Sequence, residues 1–254
     1  FLMTKYGLII FIWVGILFPQ SNLEKGMTAY NRRAEGSIED QANPKQINDA
    51  IEFFQFAMDE SKVEAVVGLL KSYYFKGKYV AKTEDEQKVI YNSAKELALE
   101  NLDKYPKNVE LHFWYLSNLG SWAEVYGILT AAKEGVADQM KDHALTIIEL
   151  NPNYEDGGGY FMLGAVHYKS PYIPFFLSWP DNDEAIKWLK KANETGEAKP
   201  VQKVYLAQAL FKNKEKSSAI SLLEEVTNMT PKKVESLADW EQIKKARILL
   251  KEYR

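Results

Sequence analysis

Residues 204–231, VYLAQALFKNKEKSSAISLLEEVTNMTP, decide how the rest of the chain is read. Leu206-Ala207 and Leu210 set one apolar stripe at helical spacing, and Ala219, Leu223 and Val226 set a second, with Pro231 at the exit. Two such helices packed antiparallel, with small residues where they cross and a proline after the second, have the spacing of a tetratricopeptide repeat. Working back along the chain, Leu163-Gly164 and His167 lie on one helix and Ala185, Leu189 and Ala192 on the next, separated by nine residues more than the repeat requires. Ala50, Phe54 and Ala57 repeat the same +4, +3 step, and Ala94, Ala98 and Pro106 repeat part of it. The third unit matches least well. Its first stretch, residues 109–132, looks like one long or kinked helix before a second that ends at Leu150. The expected fold is therefore all-α: a right-handed tetratricopeptide solenoid of about five helix pairs over residues 22–254, closed by a capping helix.

Punctuation supports that frame. Asn43-Pro44 reads as a capping Asn before an N1 proline, residues 83–86 (TEDE) and 121–124 (SWAE) read as capping boxes, and Asp181-Asn182-Asp183 opens a helix at Glu184. Pro106, Pro152, Pro200 and Pro231 read as successive helix stops. In the last segment, Leu237, Trp240, Ile243 and Leu250 are expected to cover the final repeat while charged residues face water.

Ahead of the repeats, Lys5 precedes an uncharged run over residues 6–18 and a Pro19-Gln20-Ser21 break. Thirteen helical residues would rise roughly 20 Å, short of the ~30 Å hydrocarbon core of a bilayer. Residues 1–21 are accordingly expected to be a secretory signal peptide directing the protein to the periplasm or cell envelope, with an uncleaved anchor as the alternative.

Composition narrows the chemistry. The chain has 254 residues, 46% hydrophobic, with 32 Lys+Arg against 35 Asp+Glu and a formal charge of −3, so no basic excess is available for a nucleic-acid backbone. There is no cysteine, which removes thiol nucleophiles, thiolate metal ligands and lipid attachment through sulfur. His112, His143 and His167 form no compact ligand pair in the sequence, and neither a nucleophile elbow nor a phosphate loop is present. No enzyme, metal or cofactor is expected. Glu155-Asp156 and Gly157-Gly158-Gly159 read as a tight turn between repeats more readily than as a metal pair or an anion cradle.

One segment is not bland. Residues 170–180, SPYIPFFLSWP, put Tyr172, Phe175, Phe176 and Trp179 in what should be a polar inter-helix loop. Either the loop packs into a neighbouring repeat or it lines a ligand or partner surface. Trp114, Tyr115, Tyr160 and Tyr168, on helices expected to line the inner curve, would continue such a surface.

Two families resemble the chain over roughly residues 60–250. Asn151-Pro152-Asn153-Tyr154, Gly157-Gly158-Gly159-Tyr160, Leu163-Gly164 and the Pro-rich insertion before Asp183-Glu184-Ala185 resemble the T component of bacterial TRAP transporters. His112-Phe113-Trp114-Tyr115, Leu119-Gly120, Trp122-Ala123-Glu124 and residues 237–249 are similar to the tetratricopeptide domain of the regulator of microtubule dynamics family. The first resemblance implies a periplasmic accessory that sits beside a substrate-binding protein and offers an apolar channel to an organic-acid solute. The second implies lipid binding and membrane contact. T components are usually lipoproteins, and this chain lacks the acceptor cysteine. Both imply a protein partner, or else a pure interaction scaffold of an envelope complex; a homo-oligomer is compatible with either.

Overall fold

The computed structural model describes residues 20–59, 62–233 and 235–254; the apolar run over residues 6–18 lies outside them. Twelve α-helices follow one another, with a single 3₁₀ turn after the second and no strand among the described residues. Helices α1 (Asn22–Asn31) and α2 (Pro44–Phe56), α3 (Lys62–Tyr79) and α4 (Glu84–Leu102), α8 (Gly158–Lys169) and α9 (Asn182–Asn193), and α10 (Pro200–Lys212) and α11 (Lys216–Thr227) form four hairpins. The middle unit pairs α5 (Val109–Tyr126) with α7 (Val136–Leu150) across the short α6 (Ile128–Lys133), and α12 (Ser236–Tyr253) ends the chain. This is the all-α tetratricopeptide solenoid that the repeat spacing requires.

The small-residue stripe does what the repeat logic asks of it. Ala50, Ala57, Ala94, Ala98, Ala185, Ala192 and Ala219 are fully buried, and Phe54, Leu189, Leu223 and Val226 are buried with them. Asn43 Oδ1 accepts from the Lys45 amide at 3.0 Å with Pro44 at N1, and Asp181 Oδ1 accepts from the Asp183 and Glu184 amides.

Two boundaries differ from expectation. Ser121 does not start a helix: it lies inside α5, where its hydroxyl donates back to the Ser117 carbonyl at 3.1 Å, satisfying locally the group that would otherwise cap. The break comes at Gly127, which adopts φ +83° and turns the chain into α6. Pro200 opens α10 at N1 instead of closing α9, whose end is set at Gly196 (φ +66°) just beyond it.

The last helix reaches further than a cap. Ile243 and Leu250 do cover the final hairpin, but Leu237 leaves that cluster and packs with Ala29, Ile47, Phe54 and Phe75 of the first helices. Polar contacts follow the same path. Arg33 pairs with Glu235 at 2.7 Å, Lys78 with Glu241 at 2.9 Å, and Lys244 with Glu39 at 2.6 Å. The two ends of the solenoid therefore touch, and its inner curve becomes a walled space.

Candidate binding cavity

The walled space is a cavity of about 460 Å³ bounded by α3, α5, α6, α7, α8, α10 and α12. Its existence follows from side-chain size. On α5 the inward positions are Gly120 and Ala123, on α6 Ala131 and Ala132, and on α8 Ala165, so facing helices leave room that larger residues would fill. Leu116, Met140, Met162, Val166 and Leu177 make most of the wall apolar. At the end where α12 closes the ring, Lys78, Glu124, Lys169, Glu241 and Lys245 gather around Tyr205. Burial raises the Tyr205 hydroxyl above its ordinary value, so it is neutral at physiological pH.

None of the eight aromatic residues expected at a binding surface lines this cavity. Tyr115 is fully buried in the core, its hydroxyl donating to Gln139 Oε1 at 2.7 Å. Trp114 packs edge-on to Tyr74, Tyr160 stacks on Trp188, and Tyr168 leans on Tyr205 from outside. The physical reason is helical phase. The inward positions of α8 are Phe161, Met162, Ala165, Val166 and Lys169, which leaves Tyr160 and Tyr168 rotated to the sides. The residues that mattered were the small ones, Gly120 and Ala165, whose spacing to the inward Glu124 and Lys169 is the i, i+4 signal that could have located the wall.

The proline-rich loop divides in two. Pro171 and Leu177 line the cavity, and Trp179 is half-buried, donating to Asp138 Oδ1 at 2.8 Å with its ring against His167. Its tip is open. The Ile173 and Leu177 amides exchange hydrogen bonds with each other's carbonyls at 2.7 and 2.8 Å, a tight turn that throws Phe175 outward. Phe175 is 107% exposed and sits at φ +64°, a conformation that costs a bulky residue energy. Tyr172 and Phe176 are exposed beside it, and Ile128, which borders the cavity, and Leu129 are exposed at the start of α6. The loop tip is thus not core packing.

Two histidines that are 31 residues apart in the sequence meet in space. His112 Nε2 lies 2.8 Å from the Pro106 carbonyl and donates to it, and His112 Nδ1 meets His143 Nδ1 at 2.6 Å, one nitrogen of that pair donating and the other accepting. The pair ties α5 to α7 and holds Tyr115 edge-on. Burial, with His112 beside it, lowers His143 to about 4. Because the folded value lies below the ~6.5 of an unfolded His, the unfolded chain binds the extra proton between those limits. The stability this contributes is full above about pH 6.5 and falls as pH drops towards 4. His143→Gln should therefore lose about 1–3 kcal/mol less than the wild type between pH 7 and pH 4 in urea titrations, and equal losses would reject the assignment.

Other candidates resolve as structure. Glu155 and Asp156 adopt positive φ ahead of Gly157 and tie the turn to the segment that joins α9 to α10, Glu155 pairing with Lys199 and Asp156 Oδ1 accepting from the Glu197 amide at 3.2 Å. His167 Nδ1 accepts from the Asp181 amide at 3.2 Å, a packing role. Among the described residues no three His, Asp or Glu side chains are grouped to hold a metal ion, and no helix is long and apolar enough to cross a membrane.

Comparison with known proteins gives two findings. Residues 34–176, more than half of the chain, match the family described as regulator of microtubule dynamics protein 1-3. A crystal structure of a thermophilic tetratricopeptide protein of Thermus thermophilus superposes with a TM-score of 0.59 at 14% identity, covering 91% of this chain and 96% of that one. At that identity the likeness establishes the fold. No curated protein matches.

Proposed function

Since the chain belongs to the family of regulator of microtubule dynamics proteins 1–3 and folds as a tetratricopeptide solenoid, an architecture suited to protein–protein interaction, we propose that it is a non-catalytic module that holds a small apolar solute inside its closed ring. The observation that carries this is the cavity of about 460 Å³, inside the range of small-ligand pockets and walled mainly by apolar side chains. The likeness to T components adds a substrate-binding protein as partner, and residues 6–18 add export to the periplasm or cell envelope as the destination. A second reading, an interaction scaffold without a small ligand, is favoured by one feature: the outward aromatic tip at Phe175 and Phe176.

One titration tests both with N-phenyl-1-naphthylamine, a neutral apolar fluorophore. The wild type should enhance its emission, and Ala165→Phe, which fills the cavity from α8, should abolish the enhancement with its helical signal retained. Joint replacement of Phe175 and Phe176 by Ser should leave the enhancement intact and stability within about 0.5 kcal/mol, as expected for surface positions. Enhancement that survives Ala165→Phe would reject the cavity as the binding site. A sharp fall in melting temperature on replacing the two phenylalanines would reject the loop tip as a free surface.

A further inference from the structure

The charged end of the cavity leaves one lysine without a carboxylate partner. Three lysines and two glutamates reach it from four helices: Lys78 on α3, Glu124 on α5, Lys169 on α8, and Glu241 and Lys245 on α12. Each glutamate is already engaged. Glu241 pairs with Lys78 at 2.9 Å and accepts the Tyr79 hydroxyl at 3.0 Å, while Glu124 pairs with Lys169 at 3.4 Å. Lys245, one helical turn beyond Glu241, makes no ion pair among the described residues; its ammonium lies 4.9 Å from the centre of the Tyr205 ring. Glu84 borders the adjoining recess with Lys78 and Glu124, so what singles out this half-buried corner is Lys245 itself, the one of its three lysines that no carboxylate pairs.

An unpaired ammonium removed from water is costly, and a ring face offsets only part of the cost. Burial lowers the Lys245 pKa, with Lys169 and Lys78 adding to the effect and the nearby Glu124 and Glu241 opposing it. A ligand carboxylate would supply that charge through a charge-assisted hydrogen bond, and its apolar body would run towards Leu116, Met140 and Met162. Both Lys245 and Tyr205 lie beyond residue 176, outside the segment that matches the family, so this polar end belongs to the part of the chain that the family match does not cover.

We propose that the cavity selects a single-charged anionic amphiphile, a compact apolar body ending in one carboxylate, and that Lys245 is the residue that reads the charge. The inference rests on the cavity reading above. The test displaces bound N-phenyl-1-naphthylamine with decanoate and with 1-decanol, which share a chain length and differ in charge. In the wild type decanoate should bind at least about tenfold more tightly than decanol. Lys245→Met, which keeps the aliphatic stem over Tyr205, should erase that preference while decanol affinity holds; Lys245→Arg should retain it, and Lys212→Met, on the outside of α10, should leave it unchanged. Equal affinity for the two competitors, or a preference untouched in Lys245→Met, would overturn the role of the charge and leave the cavity standing. Failure of both to displace the probe would overturn the cavity reading as well.

Discussion

Leu237→Ala should destabilise the protein by about 2–5 kcal/mol, and the helices that loosen should be the first three, although the substitution is near the carboxyl end. Leu237 is 1% exposed and packs among Ala29, Ile47, Phe54, Leu69 and Phe75, so truncation leaves a cavity between the two ends of the ring. The flanking Lys244–Glu39 pair cannot compensate, because both side chains are exposed and pairs of that kind contribute little. Hydrogen exchange would locate the effect. Protection should fall in α1 to α3 and persist in α10 and α11, whose contacts with α12 run through Ile243, Ala246 and Leu250. A loss confined to α10 to α12 would show that α12 is a local cap and that the ring is not held closed by Leu237.

That contrast marks where the sequence stops being informative. The +4, +3 steps of Ala, Leu and Phe are enforced by helix crossing, a local constraint, so Ala185, Leu189 and Ala192 reveal their packing in the sequence alone. Ring closure is a long-range event. Leu237 has the same apolar, helical spacing as Ile243 and Leu250, and nothing local separates the residue that meets the first repeats from those that meet the last. The same holds for His112 and His143, whose 2.6 Å approach depends on the register of α5 against α7. The cavity was hidden for another reason. Pockets are made by what is missing, and Gly120, Ala131 and Ala165 look like ordinary helix-packing residues, whereas Trp114, Tyr115 and Tyr160 attract attention because they are large. In the loop, the tally of aromatics identified an unusual segment, but only the turn between Ile173 and Leu177 determines that Leu177 points in and Phe175 points out.

Gly164→Ala is the second large effect expected, and it tests the repeat packing at its tightest crossing. A Cβ at position 164 would lie 2.6 Å from Leu189 Cγ, 3.0 Å from Leu189 Cδ2 and 3.0 Å from the Leu189 backbone nitrogen. A side chain alone could rotate away. The backbone nitrogen cannot, because Leu189 is fully buried in the middle of α9, between Ala185 and Ala192 on the same face. The substitution must therefore push α8 and α9 apart, and overpacking of this kind costs about 1–3 kcal/mol, less the few tenths to ~1 kcal/mol that Ala gains over Gly in a helix interior. Gly120→Ala is the internal control. Its nearest neighbour is Met140 Cε at 3.9 Å, an ordinary contact, so the helix-propensity gain should be uncompensated and the melting temperature should hold or rise. Because α8 carries Ala165 and Lys169 on the cavity wall, Gly164→Ala should also weaken N-phenyl-1-naphthylamine binding in proportion to the displacement of the helix. Equal melting temperatures for the two glycine variants would show that the α8–α9 crossing yields without cost, and that the glycine of the repeat is not there to permit close approach.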